Sequence, residues 1–197
     1  MAKKHGPNKE NLEATRRVFL NIARKEFSSL GYYNASTANI VDESGMARGS
    51  LYYHFGDKKG LFRAVYEELM EEMQVAVRDD VADAKDSWEA FITGGLKVLD
   101  LCMTNETRRI IIDVHTALTY RERLEVLQRT LLHELHAILQ GVFSMGYFKG
   151  HDPRSLSIMI FGILSEGSRS LELADDIGKA RESIGKSFVL LMESARG

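Results

Sequence analysis

Apolar residues recur every three or four positions along most of this chain, the spacing of helices with one buried face, and no stretch alternates as a half-buried strand does. Val18, Phe19, Ile22, Ala23, Phe27 and Leu30 form the first stripe, predicting a helix from Glu10 to Leu30 that Gly31 stops. A second long stripe, opened by Asp57, carries Leu61, Phe62, Val65, Leu69, Met73 and Val77. Asp86-Ser87-Trp88-Glu89 has the form of a capping box, starting a helix with Trp88, Phe91, Ile92, Leu99 and Met103 on its face. Asn105 starts the next; its Ile110-Ile111-Ile112 run favours a strand in isolation, but the charges and helices around it make it helix. One long helix follows from Tyr120 to Tyr147, with Leu124, Leu127, Leu131, Leu135, Ile138 and Val142 in a stripe.

Asp152-Pro153 is a strong helix start, Asp as cap and Pro in the first turn. The helix it opens, to Ala174, is apolar nearly all round between Leu156 and Leu164, which predicts burial on more than one side. Asp175-Asp176 breaks it, and a last helix carries Ile184, Phe188, Leu191 and Met192. With two short helices between Ser36 and Phe55, the fold class is all-α, about nine helices.

Those two short helices carry the chemistry. A first short helix and a second, Arg48 to His54, fold about Gly45, where the chain must turn sharply and a residue without Cβ tolerates positive φ. Ile40, Met46 and Leu51 are placed to pin the pair together, and Ser36 or Thr37 can cap the first helix. The second helix is too short to stand alone and presents Arg48, Ser50, Tyr52, Tyr53 and His54 outward, residues suited to guanine edges and phosphate oxygens. Such a helix-turn-helix places one helix in a DNA major groove.

The continuation makes the pattern specific. Thr37, Ile40, Gly45, Gly49, Ser50, Leu51, Tyr52, His54, Phe55, Lys58 and Leu61 match the DNA-binding region of the TetR family of transcriptional regulators at eleven fixed positions. The chain closely resembles that family over residues 10–66, and beyond them in helix order. Two positions depart: Val41 stands where the family usually has Ala, and Ala47 where it often has a capping Ser or Thr. The resemblance implies a DNA-binding domain over residues 10–56 and a ligand-binding and dimerisation domain over residues 57–197. It implies a homodimer through the last two helices, about residues 153–174 and 176–195, bound to a palindromic double-stranded DNA operator. Expected DNA contacts are Thr37, Arg48, Gly49, Ser50, Tyr52, Tyr53, His54 and Lys58, with Arg48 reading a base. The basic residues Lys3, Lys4 and Lys9 are available to the DNA backbone.

The resemblance also implies a small-molecule effector held in the body. The expected lining is Trp88, Phe91, Met103, His115, Tyr120, Phe161 and Glu166, and the small residues around Gly162 and Gly167 point to an apolar or amphipathic molecule. The resulting expectation is a repressor released by that molecule. A regulator with the same head but no ligand, or an activator, is the alternative.

Composition adds limits. The chain has 197 residues, 44% of them hydrophobic, and only Pro7 and Pro153 as prolines. Its net charge is −2, unevenly spread: residues 1–60 hold ten Lys/Arg against six Asp/Glu, net +4, on an acidic remainder. A single cysteine, Cys102, excludes an internal disulfide and a Cys-rich zinc site and suits a reducing cytoplasm. No apolar run approaches the roughly 20 residues of a membrane span, and the basic amino end lacks the apolar core of a secretory signal.

An enzyme reading has little support. His133-Glu134-Leu135-His136 spaces its histidines i, i+3, not the i, i+4 of a zinc-protease helix, and reads as two surface histidines. Cys102 has no His near it in sequence, and no phosphate-binding glycine loop occurs. No cofactor and no metal are expected.

Overall fold

The first helix of the computed structural model, α1 (Lys9–Asn34), also opens the described residues, 9–197. It continues past the expected stop, but not straight. Gly31, at φ 76° and ψ 164°, interrupts the helical backbone, so a kinked terminal piece carries Tyr32 and Tyr33. The side chain of Arg109 fills the space where a Cβ at Gly31 would sit.

The paired short helices follow as α2 (Thr37–Ser44) and α3 (Arg48–Phe55). Ser36, rather than Thr37, caps α2, its hydroxyl accepting from the Asn39 amide at 3.4 Å. Gly45 ends α2 in the left-handed conformation at φ 64°. The turn has its own brace: Ser44 Oγ donates to the Val41 carbonyl at 2.7 Å and accepts from the Met46 amide at 3.1 Å. Ile40 and Leu51 are fully buried and Met46 packs partly buried beside them, which pins α2 to α3. Ala47 leaves α3 without a side-chain cap.

Asp57 caps α4 (Lys58–Asp80), which buries all six residues of its expected stripe. The largest buried cluster runs without a break from Phe19 and Phe27 of α1, through Phe62 and Leu69 of α4, to Ile110 and Val114 of α6 (Asn105–Ala117). A second cluster centres on Phe91 of α5 (Ser87–Leu101) and Phe188 of α10 (Ile177–Ala195). At the start of α5, Asp86 caps as expected, but the Glu89 carboxylate accepts from the Lys85 amide rather than from Asp86, so the box is shifted by one residue. Cys102 follows α5 as its C-cap and is buried; burial pushes its thiol pKa up.

The long helix expected over 120–147 is two, α7 (Tyr120–Leu127) and α8 (Leu131–Ser144), which brings the α-helices among the described residues to ten. No Gly or Pro breaks it. Thr130, at φ −123° and ψ −116°, is buried, and its hydroxyl donates at 2.9 Å to the Val126 carbonyl, which also accepts from the Arg129 amide at 3.1 Å. The break lets Val126, Leu127 and Leu131 all turn inward.

Asp152 caps α9 (Pro153–Ser170), which a 3₁₀ turn (Leu171–Leu173) extends. Ile160 and Leu164 are buried, but Ile158, Met159 and Ile163 are 47%, 65% and 42% exposed, so a single chain covers only one side of this apolar helix. On α10, Phe188 and Met192 are buried while Leu190 and Leu191 are exposed, so Leu191 does not share the buried face expected for it. No helix among the described residues is long and apolar enough to cross a membrane.

Candidate DNA-binding face and effector cavity

Two regions gather groups with chemistry to offer. The first is the outer side of α3. Arg48 donates to the Tyr52 hydroxyl at 3.3 Å and lies over its ring, 5.5 Å from the centroid; the Thr37 side chain hydrogen-bonds the same hydroxyl. These bonds lower the phenol pKa of Tyr52 and tie the start of α2 to the middle of α3. Tyr53 is 73% exposed, its ring packed edge-on against His54. Gly49 faces open space and Ser50 is half-buried.

Lys58 sits differently from the rest. Its ammonium donates to the Tyr33 carbonyl at 3.0 Å and lies 5.0 Å from the Tyr32 ring, and burial lowers its pKa. It binds the kinked end of α1 to the start of α4. Lys3 and Lys4 lie outside the described residues, as does the side chain of Lys9.

The second region is a cavity of about 290 Å³ lined by α4 to α9 and open on one side. Met70, Val98, Ile111, Leu124, Leu127, Leu131 and Phe161 make its walls apolar; Tyr66, His115, Tyr120, Arg123, Ser165 and Glu166 supply the polar groups. Four of the seven expected residues, His115, Tyr120, Phe161 and Glu166, therefore meet here. Phe91 lines a smaller neighbouring cavity of about 30 Å³ that shares Val98, Leu131 and Phe161. Trp88 and Met103 line neither. The indole of Trp88 donates to the Glu193 carboxylate at 3.0 Å, with Arg196 stacked on its ring at 4.8 Å, so its face of α5 turns toward α10. Met103 lies past the end of α5, where its carbonyl accepts from Arg108.

Tyr66 and Arg123 were missed. Tyr66 sits within the apolar stripe of α4, where a tyrosine reads as core; Arg123 is three residues beyond Tyr120 on a helix whose face was read from its leucines. Burial raises the phenol pKa of Tyr66. His115 is held down to about 4, first by desolvation and then by the charges of Arg123 and Arg169. Glu166 is paired with Arg169 at 2.8 Å.

The histidines of α8 differ from expectation in one respect. His133 is exposed, but His136 is half-buried, with Nδ1 3.4 Å from Ser157 Oγ on α9 and Nε2 3.4 Å from Gln140. No three His, Cys, Asp or Glu side chains among the described residues are placed to hold a metal ion.

A helix-turn-helix head joined through one continuous core to a helical body with a cavity defines a DNA-binding transcriptional regulator. The chain belongs to the TetR family: residues 19–65 match bacterial regulatory proteins of the tetR family, and residues 88–195 match the tetracyclin repressor-like C-terminal domain. It is 26% identical to the transcriptional regulator SrpR of Pseudomonas putida over 199 residues, 93% of this chain and 88% of the relative. A TetR-family regulator from Pectobacterium atrosepticum superimposes with a TM-score of 0.80 at 26% identity, over 96% of this chain and 98% of that one. RolR in complex with resorcinol shares the fold, with a TM-score of 0.75 at 20% identity over 93% of this chain and 90% of that one.

Proposed function

We propose that this protein is a cytoplasmic repressor that binds a palindromic operator as a homodimer and is released when a small apolar or amphipathic molecule enters the cavity. Residues 10–56 are the DNA-binding unit, and residues 57–197 the effector and dimerisation unit.

The observation that carries this reading is the double duty of α6. Ile111, Val114 and His115 line the cavity. From the same helix, Asp113 accepts from the Tyr32 amide at 2.7 Å, Arg109 fills the space beside Gly31, and Glu106 pairs with Arg24. Arg24 also pairs with Glu72 of α4 at 2.6 Å. A ligand that moves α6 must move its grip on α1. Release requires only that the ligand prefer the conformation with the head spacing that misfits DNA.

On the head, Arg48 reads a base edge, while Thr37, Tyr53, His54 and Lys58 hold phosphates beside Gly49, Ser50 and Tyr52. Exposure of Arg48 and Tyr53 supports this, as does the place of Lys58 in the first turn of α4. The uncovered Ile158, Met159 and Ile163 of α9, with Leu190 and Leu191 of α10, support pairing through these two helices.

Selection of bound sequences from random duplex DNA tests the reading. A palindrome is expected, with half-sites spaced one helical turn, about 34–36 Å, or a multiple apart. Arg48→Ala should relax one position of each half-site, at about 1–3 kcal/mol. An unchanged preference sinks the base-reading role of Arg48, and a monomer in sedimentation at micromolar concentration sinks the dimer.

A further inference from the structure

We propose that the cavity selects a molecule with a single carboxylate on an apolar body, the carboxylate seated among Arg123, Tyr66 and His115. The proposal rests on the reading of the cavity as the effector site and adds its chemistry. Tyr66, His115 and Arg123 line the cavity without a hydrogen bond or ion pair to another of the described residues. Tyr66 is only 4% exposed, yet its hydroxyl makes no hydrogen bond among the described residues. A hydroxyl on a buried ring that opens onto the cavity without a protein acceptor marks a place where a ligand supplies one. The His115 ring lines the same cavity without a hydrogen bond. Arg123 has no ion pair among the described residues; its guanidinium rests 5.9 Å from the Tyr120 ring centroid, and its positive charge reaches both Tyr66 and His115.

The charge balance selects the sign of the ligand. Glu166, the acidic residue of the lining, is already paired with Arg169 at 2.8 Å. Arg123 is left as the uncompensated charge of the lining. A carboxylate entering here gains a bidentate guanidinium partner and two neutral donors, the Tyr66 hydroxyl and an imidazole N–H. A cation meets Arg123 instead. The rest of the ligand lies against Met70, Leu124, Leu127 and Phe161, which offer it no polar atom beyond backbone. The cavity's size, about 290 Å³, sits at the lower end of the usual range for small-molecule sites, about 300–1,000 Å³.

Calorimetric titration of the full chain with two trios of matched compounds tests this: decanoate, decanol and decylamine, and 3-phenylpropionate, 3-phenylpropanol and 3-phenylpropylamine. The carboxylate of at least one trio should bind tenfold or more tighter than its alcohol, and the amine weakest. Arg123→Met should bring that carboxylate down to the level of the alcohol, and Arg123→Lys should keep part of the preference. Alcohols or amines binding as tightly as the carboxylates, or a preference that survives Arg123→Met, would overturn the carboxylate and leave the effector cavity standing. Absence of binding by all six would overturn the effector reading itself, and the carboxylate with it.

Discussion

The carboxylate of Asp113 accepts a hydrogen bond from the backbone amide of Tyr32 at 2.7 Å, joining the middle of α6 to the kink of α1. Asp113 is 9% exposed and also faces Arg109 at 3.3 Å. The kink frees the Tyr32 amide from the helical ladder, and Asp113 takes it up. Removing the acceptor leaves a half-buried donor unsatisfied. Asp113→Ala should therefore destabilise the protein by about 1–3 kcal/mol. Asp113→Asn, which keeps an acceptor oxygen, should cost less. Urea denaturation of the three proteins measures this; an Asp113→Ala midpoint equal to that of the unaltered chain would show the contact to be idle.

That contact also shows where sequence reading stops. The helix-turn-helix was legible because its parts are contiguous: Ser36 caps, Gly45 turns and Ile40 meets Leu51 within one short stretch. Helix faces were legible from periodicity for the same reason. The break at Thr130 was not, because no helix-breaking residue marks it; the stripe continues through it, and what decides is the inward packing of Val126, Leu127 and Leu131. Trp88 was expected at the cavity and Tyr66 was missed on similar grounds. Both are aromatic residues on apolar faces, and only the packing of α5 against α10 and of α4 against α6 and α7 determines which one meets a cavity. The uncovered Leu190 and Leu191 follow from the same limit: a sequence stripe says that a face is apolar, not what covers it.

The unpartnered hydroxyl of Tyr66 predicts an unusual stability change. Tyr66→Phe keeps the ring in its buried place and removes only the oxygen. Deleting a hydroxyl that has no partner relieves its desolvation cost, so the empty protein should gain up to about 1 kcal/mol. A rise in the thermal midpoint checks it. A fall of more than a degree would mean that the hydroxyl is satisfied in the native protein.

Acid should weaken the body through His115. Its folded pKa of about 4 lies below the ordinary 6.5, so the unfolded chain takes up the proton first. Stability contributed by the neutral ring is fully present above pH 6.5 and is lost as pH falls toward 4. The groups facing the ring are Arg123 of α7 and Arg169 and Glu166 of α9. Because the residue is exposed by area, screening reduces the effect to about 1 kcal/mol. In His115→Gln, the stability difference from the unaltered chain should slope between pH 6.5 and 4 and be flat above 6.5. Glu122, held down to about 2 by Lys59 and the Thr119 cap, acts in a separate window, losing its contribution as pH falls from 4.5 toward 2. A His115 ring resonance titrating near 6.5 in the folded protein would contradict the assignment.

The uncapped start of the recognition helix leaves room for improvement at one position. Ala47 precedes α3 with φ −66° and ψ 136°, the extended conformation an N-cap residue adopts, and is exposed. Its side chain accepts no hydrogen bond, whereas Ser36, Asp57, Asp86, Thr104 and Thr119 cap the helices that follow them. A serine hydroxyl at this position reaches the second or third amide of α3 without disturbing the backbone. Ala47→Ser should thus stabilise the protein by about 1 kcal/mol. The gain should appear as a higher urea midpoint with an unchanged slope, because only native-state bonding is altered. No shift in the midpoint would mean that water already satisfies those amides as well as a hydroxyl can.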